Sequence, residues 1–360
     1  MTGGGVYPAL AVHQALESRT QATLWVGSEH GLEESLLAPF ALEFTAISGG
    51  GIHGMGIAKL PRNALALMKG YRESLSIIRE FNPDVIFFTG GYIGVPMAMA
   101  AGNIPSVVFI PDIEPGLALR LILRNANHTA IATKTSLKYL KSQQPFTITG
   151  YPIRNELKEW TRERSRAYFD IKPSENTLLV FGGSKGARSI NNALFSHIDT
   201  LLKDFHIIHI TGEANWDQCL RVINTMQLSG SKRYHPYPFL HKKMGAALSA
   251  ADLVICRAGA STIGELPHFG LPAILVPYPH AWRYQHQNAE YLVSNGGAVL
   301  LKDEDLKENL YDQVQLLIQD EERIKKMQKN MHALAKEKAA EHIADIIYKI
   351  GTKQSGGMTK

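Results

Sequence analysis

Two glycine-rich stretches in this chain end an apolar run with groups able to hold a phosphate. In "LLVFGGSKGARSINNALF" (178–195) a strand-like run meets Gly182-Gly183-Ser184, and Gly186 opens a helical segment. Free N–H groups at a helix start, together with the helix dipole, favour an anion. Glycine lets the backbone approach that anion closely. Ser184 has a hydroxyl to donate. The spacing is neither the dinucleotide G-x-G-x-x-G pattern nor a Walker loop, and a purely structural tight turn is the competing reading. In "DLVICRAGASTIGELPHFGLPAILVPYP" (252–279) a second strand meets a helix at Ala258-Gly259-Ala260-Ser261-Thr262. Glu265 lies one turn into that helix, through Ile263 and Gly264. A carboxylate there suits the two hydroxyls of a ribose; the alternative is a plain helix N-terminal acid. "PHAWRYQHQNA" (279–289) then offers Gln285 and Asn288 to sugar hydroxyls, or to an ordinary first helical turn.

The first half repeats the strand–turn–helix theme. "FFTGGYIGVPMAMAA" (87–101) passes through Gly90-Gly91, and "PSVVFIPDIEPGLALRL" (105–121) carries Asp112 and Glu114 between a strand and a helix begun by Pro115. Strand ends of this kind line the ligand crevice of open α/β sheets; equally, the two acids serve as caps. The chain opens on "MTGGGVYPAL", a glycine run feeding a helix with no strand before it. A parallel sheet without a central strand leaves unpaired edges. The expectation is therefore a start placed about eight to ten residues too late, or a truncated chain, since strands usually run about 5–6 residues. Among fourteen histidines, His53 in "SGGGIHGMG" sits in a flexible glycine loop; His206, His209, His235, His241, His280 and His286 show no metal-type spacing.

These residues must be carried by alternating strands and helices, the mark of parallel sheets covered on both faces. Strands are expected at 22–27, 44–47, 84–90, 106–110, 129–132 and 146–150, and again at 177–183, 206–212, 252–259, 273–278 and 298–301. Helices are expected at 8–17 and 60–81, then at 186–202, 216–226, 242–250, 261–269, 285–294, 303–318 and 321–349. The uncharged stretch Val85–Ile110 is long enough to span a bilayer, but its Gly and Pro residues fall where an α/β unit needs turns. The alternation restarts after "GYPIRNELKEW", which puts the boundary near residues 151–158 and the domains at 1–152 and 153–335. A terminal helix at 336–350 either packs on its own domain or returns to the first, and 351–360 forms a disordered tail.

The chain is 45% hydrophobic and 20% charged, as in a globular protein with sizeable cores. Two cysteines without a pairing pattern point to a reducing compartment and argue against a disulfide scaffold or zinc site. A net charge of +5 fits an anionic ligand or membrane surface and does not argue for nucleic acid. Residues 59–72, "KLPRNALALMKGYR", set Leu60, Ala64, Leu67, Met68 and Tyr71 near one helical face beside Lys59, Arg62, Lys69 and Arg72. A core-facing helix and a patch touching anionic lipid explain this equally.

Taken in order, "TGGGVYPALA", "FFTGGYIGVP", "TGYPIR", "GGSKGAR" and "CRAGASTIGE…GLPAILVPYPHAWRYQHQNA" resemble the MurG family of glycosyltransferase family 28. The resemblance runs from Thr2 to about Leu300. It implies a GT-B architecture, two Rossmann-like domains facing across a cleft, with the last helix returning to the first. It implies inverting transfer from UDP-GlcNAc to the 4-hydroxyl of undecaprenyl-pyrophosphoryl-MurNAc-pentapeptide in peptidoglycan synthesis, at the cytoplasmic face of the membrane. By position, it puts Ser184 on the diphosphate, Ala260, Ser261 and Thr262 beside it with Ile263 and Gly264, and Glu265 on the ribose. His241 falls where a backbone group meets uracil, Gln285 on the sugar hydroxyls, Arg154 on a donor-binding arginine, and Thr2, Gly3 and Gly4 on a loop facing phosphates. Neither metal nor cofactor is implied, since helix N-termini stabilise the leaving diphosphate. The chain departs from the family pattern at two places. Gly5 stands where the first loop usually ends in His, and Phe109-Ile110-Pro111-Asp112 where the family usually reads His-Glu-Gln-Asn. Asp112 or Glu114 then becomes the expected general base, with His53 as the fallback. A transferase with another lipid acceptor, such as diacylglycerol, and a non-catalytic UDP-sugar-binding module are the alternatives.

Overall fold

The computed structural model describes all residues except 1, 2, 30, 32, 41, 50–59, 141–144, 229, 230, 281–283 and 356–360. The chain divides into two compact units: Met1–Ile153 with Lys336–Lys360, and Arg154–Ala335. Each is α/β with parallel strands.

The first unit runs α1 (Gly3–Leu16), β1 (Trp25–Ser28), α2 (Glu33–Leu37), β2 (Phe44–Ile47), α3 (Leu60–Phe81), β3 (Ile86–Phe88), α4 (Gly94–Ala100), β4 (Ser106–Ile110), α5 (Leu117–Ile122), β5 (His128–Ile131) and β6 (Phe146–Ile148). The stretch 85–110 is thus β3, α4 and β4, and no helix among the described residues is long and apolar enough to cross a membrane. The strands form a pair, β1-β2, and a separate sheet, β3-β4-β5-β6. A cavity of about 250 Å³ is lined from both, by Trp25, Val26 and Phe44 on one side and Ile86 and Phe88 on the other. α1 starts earlier than its apolar pattern indicates. Gly3–Gly5 form its first turn rather than a free loop, and Thr89 Oγ1 donates to the Gly5 carbonyl at 2.7 Å.

The second unit runs α6 (Asn155–Lys158), α7 (Arg162–Tyr168), β7 (Asn176–Phe181), α8 (Arg188–Asp204), β8 (Phe205–Ile210), α9 (Trp216–Thr225), β9 (Tyr234–Tyr237), α10 (Met244–Ala250), β10 (Leu253–Cys256), α11 (Thr262–Phe269), β11 (Ala273–Leu275), α12 (Tyr284–Ser294), β12 (Ala298–Leu300), α13 (Leu306–Ile318) and α14 (Glu321–Ala333). Its six strands are all parallel, in the order β12-β11-β10-β7-β8-β9. The central strands read as unbroken apolar runs because helices cover both faces; Leu178, Leu179, Val180, Val254 and Ile255 are all fully buried. Strand β9 has no counterpart in the sequence pattern. Its "YHPY" lacks the apolar run of the others, and Pro236 is tolerated because β9 is an edge.

The terminal helical segment is two helices. α14 ends at Ala333 in the second unit, and α15 (Ala339–Ser355) packs in the first, against α1. It buries Ile343, Ala344 and Ile347, and Arg19 pairs with Asp345 at 2.6 Å while lying 4.3 Å from the centre of the Tyr348 ring.

Below the sheet ends of the second unit, Asn191, His209 and Tyr234 form a buried chain. Asn191 Nδ2 donates to the Thr211 carbonyl at 3.0 Å, which turns its Oδ1 to His209 Nε2 at 3.1 Å. Nε2 therefore carries the proton, and Nδ1 accepts from the Tyr234 hydroxyl at 2.8 Å. Burial lowers the His209 pKa to about 3. Desolvation also lowers His235, to about 4, and His206. A histidine whose folded pKa is depressed leaves stability intact above its unfolded value and withdraws it as pH falls towards the folded one. Stability should therefore drop below about pH 6.5, by up to about 1.4 kcal/mol per pH unit for each such group. Chemical denaturation at several pH values should give a shallower decline for His209→Gln than for the native chain between pH 6.5 and 4; equal slopes would remove His209 from the cause.

Candidate nucleotide-sugar site

The strand order of the second unit reverses between β7 and β10, which are hydrogen-bonded neighbours in register Leu253 to Leu178 through Cys256 to Phe181. The chain leaves β7 for one side and β10 for the other, so the turns after both strands open over the same point. Each turn feeds a helix whose first N–H groups have no side-chain cap. Ala187 caps α8 and Ser261 caps α11, neither with a side-chain hydrogen bond. Two positive dipole ends thus arise at adjacent strand ends, an arrangement suited to a diphosphate, although in α11 the Thr262, Ile263 and Gly264 N–H groups already donate to the Gly259, Ala260 and Ser261 carbonyls.

The turn after β7 is held open by backbone packing. Gly186 has φ +71 and Gly212 has φ +85, and the two backbones press together; a Cβ at Gly186 would run into the Thr211 carbonyl. Ser184 is half-exposed at the tip, while Asn191, in the first turn of α8, is anchored to Thr211. After β10, Thr262 Oγ1 donates to the Gly259 carbonyl at 2.6 Å and its N–H to the same carbonyl at 3.1 Å, which together fix the turn. Glu265 is 6% exposed and Arg154 5% exposed. Desolvation raises the Glu265 pKa, against the opposing pull of Arg154 and a hydrogen bond with Ser261. Gln285 Oε1 accepts from the Tyr278 N–H at 2.8 Å, which leaves its Nε2 for a ligand. Asn288 is fully buried and donates to the Ala258 carbonyl at 3.1 Å, so it supports the turn. His241 is exposed in the left-handed region, φ 38, with its ring against Phe239.

The first unit offers fewer polar groups. Phe109 and Ile110 occupy the positions where the resemblance leads one to look for His and Glu; both are fully buried in β4, and Phe109 meets Tyr151 edge-on at 5.8 Å. Glu114 is 1% exposed and ion-paired with Arg120 Nη2 at 2.6 Å, and Arg120 Nε donates to the Pro115 carbonyl. That pairing braces the start of α5. Asp112 is half-exposed. Gly3 and Gly4 open α1, while Thr2 and His53 lie outside the described residues. On α3, Leu65 and Met68 are the exposed apolar residues, and Leu67 and Tyr71 turn partly inward.

A six-stranded parallel sheet with open helix starts and a buried carboxylate at its switch point defines a nucleotide-binding α/β unit. Residues 2–111 match the glycosyltransferase family 28 N-terminal domain, and residues 177–345 match its C-terminal domain. The chain is 35% identical, over 98% of its length and 97% of the relative's, to the UDP-N-acetylglucosamine–N-acetylmuramyl-(pentapeptide) pyrophosphoryl-undecaprenol N-acetylglucosamine transferase of Desulforamulus reducens. It is 36% identical to the Roseiflexus enzyme of the same name, over 96% of the chain and 92% of the relative. The crystal structure of Acinetobacter baumannii MurG superposes with a TM-score of 0.73 at 23% identity, covering 96% of both chains. S. aureus MnaA, solved with UDP, gives 0.70 at 13% identity over 96% of this chain and 93% of that one. The chain belongs to glycosyltransferase family 28, and it is a hexosyltransferase by fold and kinship.

A ribose held by Glu265 needs the carboxylate, because only the charged form accepts from both hydroxyls. UDP affinity should fall as pH drops through the raised pKa of Glu265, at a higher pH than an ordinary carboxylate would give. Calorimetric titration of Glu265→Gln should show at least about tenfold weaker UDP binding, with this pH dependence removed. Unchanged affinity would exclude Glu265 from the ribose.

Proposed function

We propose that this chain transfers GlcNAc from UDP-GlcNAc to the 4-hydroxyl of undecaprenyl-pyrophosphoryl-MurNAc-pentapeptide, converting lipid I to lipid II with inversion at the anomeric carbon. The observation that carries this reading is the pair of uncapped helix starts at the ends of β7 and β10, with Glu265 one turn into α11. The relatives with this printed activity match along nearly the whole chain. In the proposed reaction the muramyl 4-hydroxyl attacks C1, the C1–O bond to the diphosphate breaks, and UDP departs with the bond's electron pair. Charge developing on the diphosphate is stabilised by the α8 and α11 N-termini with the Ser184 hydroxyl. Ala260 to Gly264 line the turn, Gln285 meets the sugar hydroxyls, His241 presents backbone to the uracil, and Arg154 supports Glu265.

The 4-hydroxyl proton needs an acceptor, and Asp112 takes that role. Asp112→Asn should lower kcat at least about a hundredfold, the usual scale for a lost general base, with UDP binding retained; near-normal turnover would exclude it. Incubating labelled UDP-GlcNAc with lipid I or with diacylglycerol tests the reaction as a whole. Product on lipid I alone supports the reading. Product on diacylglycerol alone would reassign the acceptor, and UDP binding without either product would make the chain a binding module.

Access to a lipid-linked acceptor implies peripheral association with the cytoplasmic membrane surface. The exposed residues Leu65 and Met68 on α3, Met99 on α4, and Leu117 and Leu121 on α5 are apolar groups available for insertion. Lys69 is paired with Glu29 and Glu73, which reduces the charge it offers to an anionic surface. Replacing Leu65 and Met68 together with Ser should weaken binding to anionic vesicles about tenfold or more, as two partly buried apolar side chains are worth, with UDP binding unchanged. Undiminished vesicle binding would remove this face from the interaction.

A further inference from the structure

Arg257 leaves the end of β10 and is 8% exposed, yet no ligand role falls to it. Its guanidinium closes a three-membered ring of hydrogen bonds. Nη2 donates to Ser189 Oγ at 2.8 Å, Ser189 Oγ donates to Asp303 Oδ1 at 2.7 Å, and Arg257 Nη1 donates to the same Oδ1 at 2.5 Å. Nη1 also reaches the Val276 carbonyl at 3.2 Å, and the guanidinium lies 5.3 Å from the centre of the Tyr278 ring. Ser189 is the second residue of α8, directly after the turn that holds Ser184. Val276 and Tyr278 follow β11 and lead to Gln285, which is itself tied to the Tyr278 N–H. Asp303 follows β12. One side chain therefore joins the segments leaving four strands of the sheet, β7, β10, β11 and β12.

We infer that Arg257, Ser189 and Asp303 form a positioning ring that sets the spacing between the phosphate-side turn of α8 and the sugar-side segment 276–285. The inference rests on the proposed donor site. A lysine at 257 would keep the charge but lack the planar fork that meets Ser189, Asp303 and Val276 together. Ser189→Ala opens the ring only on the α8 side and leaves the Arg257–Asp303 pair in place.

The test separates spacing from general damage by using two ligands. UDP spans only the nucleotide and phosphate side, whereas UDP-GlcNAc reaches both segments. In Ser189→Ala and Arg257→Lys, the Kd for UDP-GlcNAc should rise about fivefold to tenfold, the scale of one ordinary intramolecular hydrogen bond. The Kd for UDP should change by less than about twofold, within the additivity error for sites that share no partner. KM for the donor should rise in step while KM for the lipid acceptor holds. Equal weakening of UDP and UDP-GlcNAc, or no change in either, would overturn the ring's role even if Arg257→Lys folds poorly, because Ser189→Ala alone gives the same contrast. Failure of the native chain to bind either ligand would overturn the donor site itself and the ring with it.

Discussion

The reversal of strand order between β7 and β10 is the constraint on which the second unit depends. It brings two helix N-termini to adjacent strand ends and keeps both free of side-chain caps. An uncapped helix start is a local loss of about 1 kcal/mol, recovered when an anion arrives. The surrounding contacts keep that state rigid. Gly186 against Gly212 removes the side chains that would splay the turn, and the Asn191–His209–Tyr234 chain pins the first turn of α8 to β8 and β9. The ring around Arg257 does the same from the opposite side.

The first unit solves a different problem. Where its family pattern leads one to look for an ionisable pair after the fourth strand, it has Phe109 and Ile110 inside the core, with Tyr151 packed on the former. Burying His and Glu there would require partners for both; the apolar pair needs none. The neighbouring acid, Glu114, is neutralised by Arg120. Asp112, half-exposed, follows this buried strand and is the base in the proposed reaction.

Much of this was legible in the sequence. Unbroken apolar runs marked the central strands, and the glycines after β7 and β10 marked the turns, because only backbone without Cβ packs as Gly186 does. The missed features share a cause: they depend on partners distant in sequence. β9 is defined by its neighbour β8 and not by its own "YHPY" pattern. Gly3–Gly5 reads as a loop by composition, yet is helical where Thr89 receives it. Asn288 also supports its turn by donating to Ala258, and Arg257, though inside "CRAGASTIGE", gives no sign of its partners, since Ser189 and Asp303 lie 68 and 46 positions away. The strands of the first unit form two sheets, with a cavity lined from both, in keeping with the unpaired edges expected of a sheet without a central strand.

The path of the chain has a consequence for biosynthesis. The second unit is continuous from Arg154 to Ala335, whereas the first closes only with α15, whose Ile343, Ala344 and Ile347 are buried in it. On the ribosome, domains generally fold as units when their residues have emerged. The nucleotide-binding half can therefore reach its native state while the half translated before it still waits, its apolar surface uncovered, for the last helix to be made.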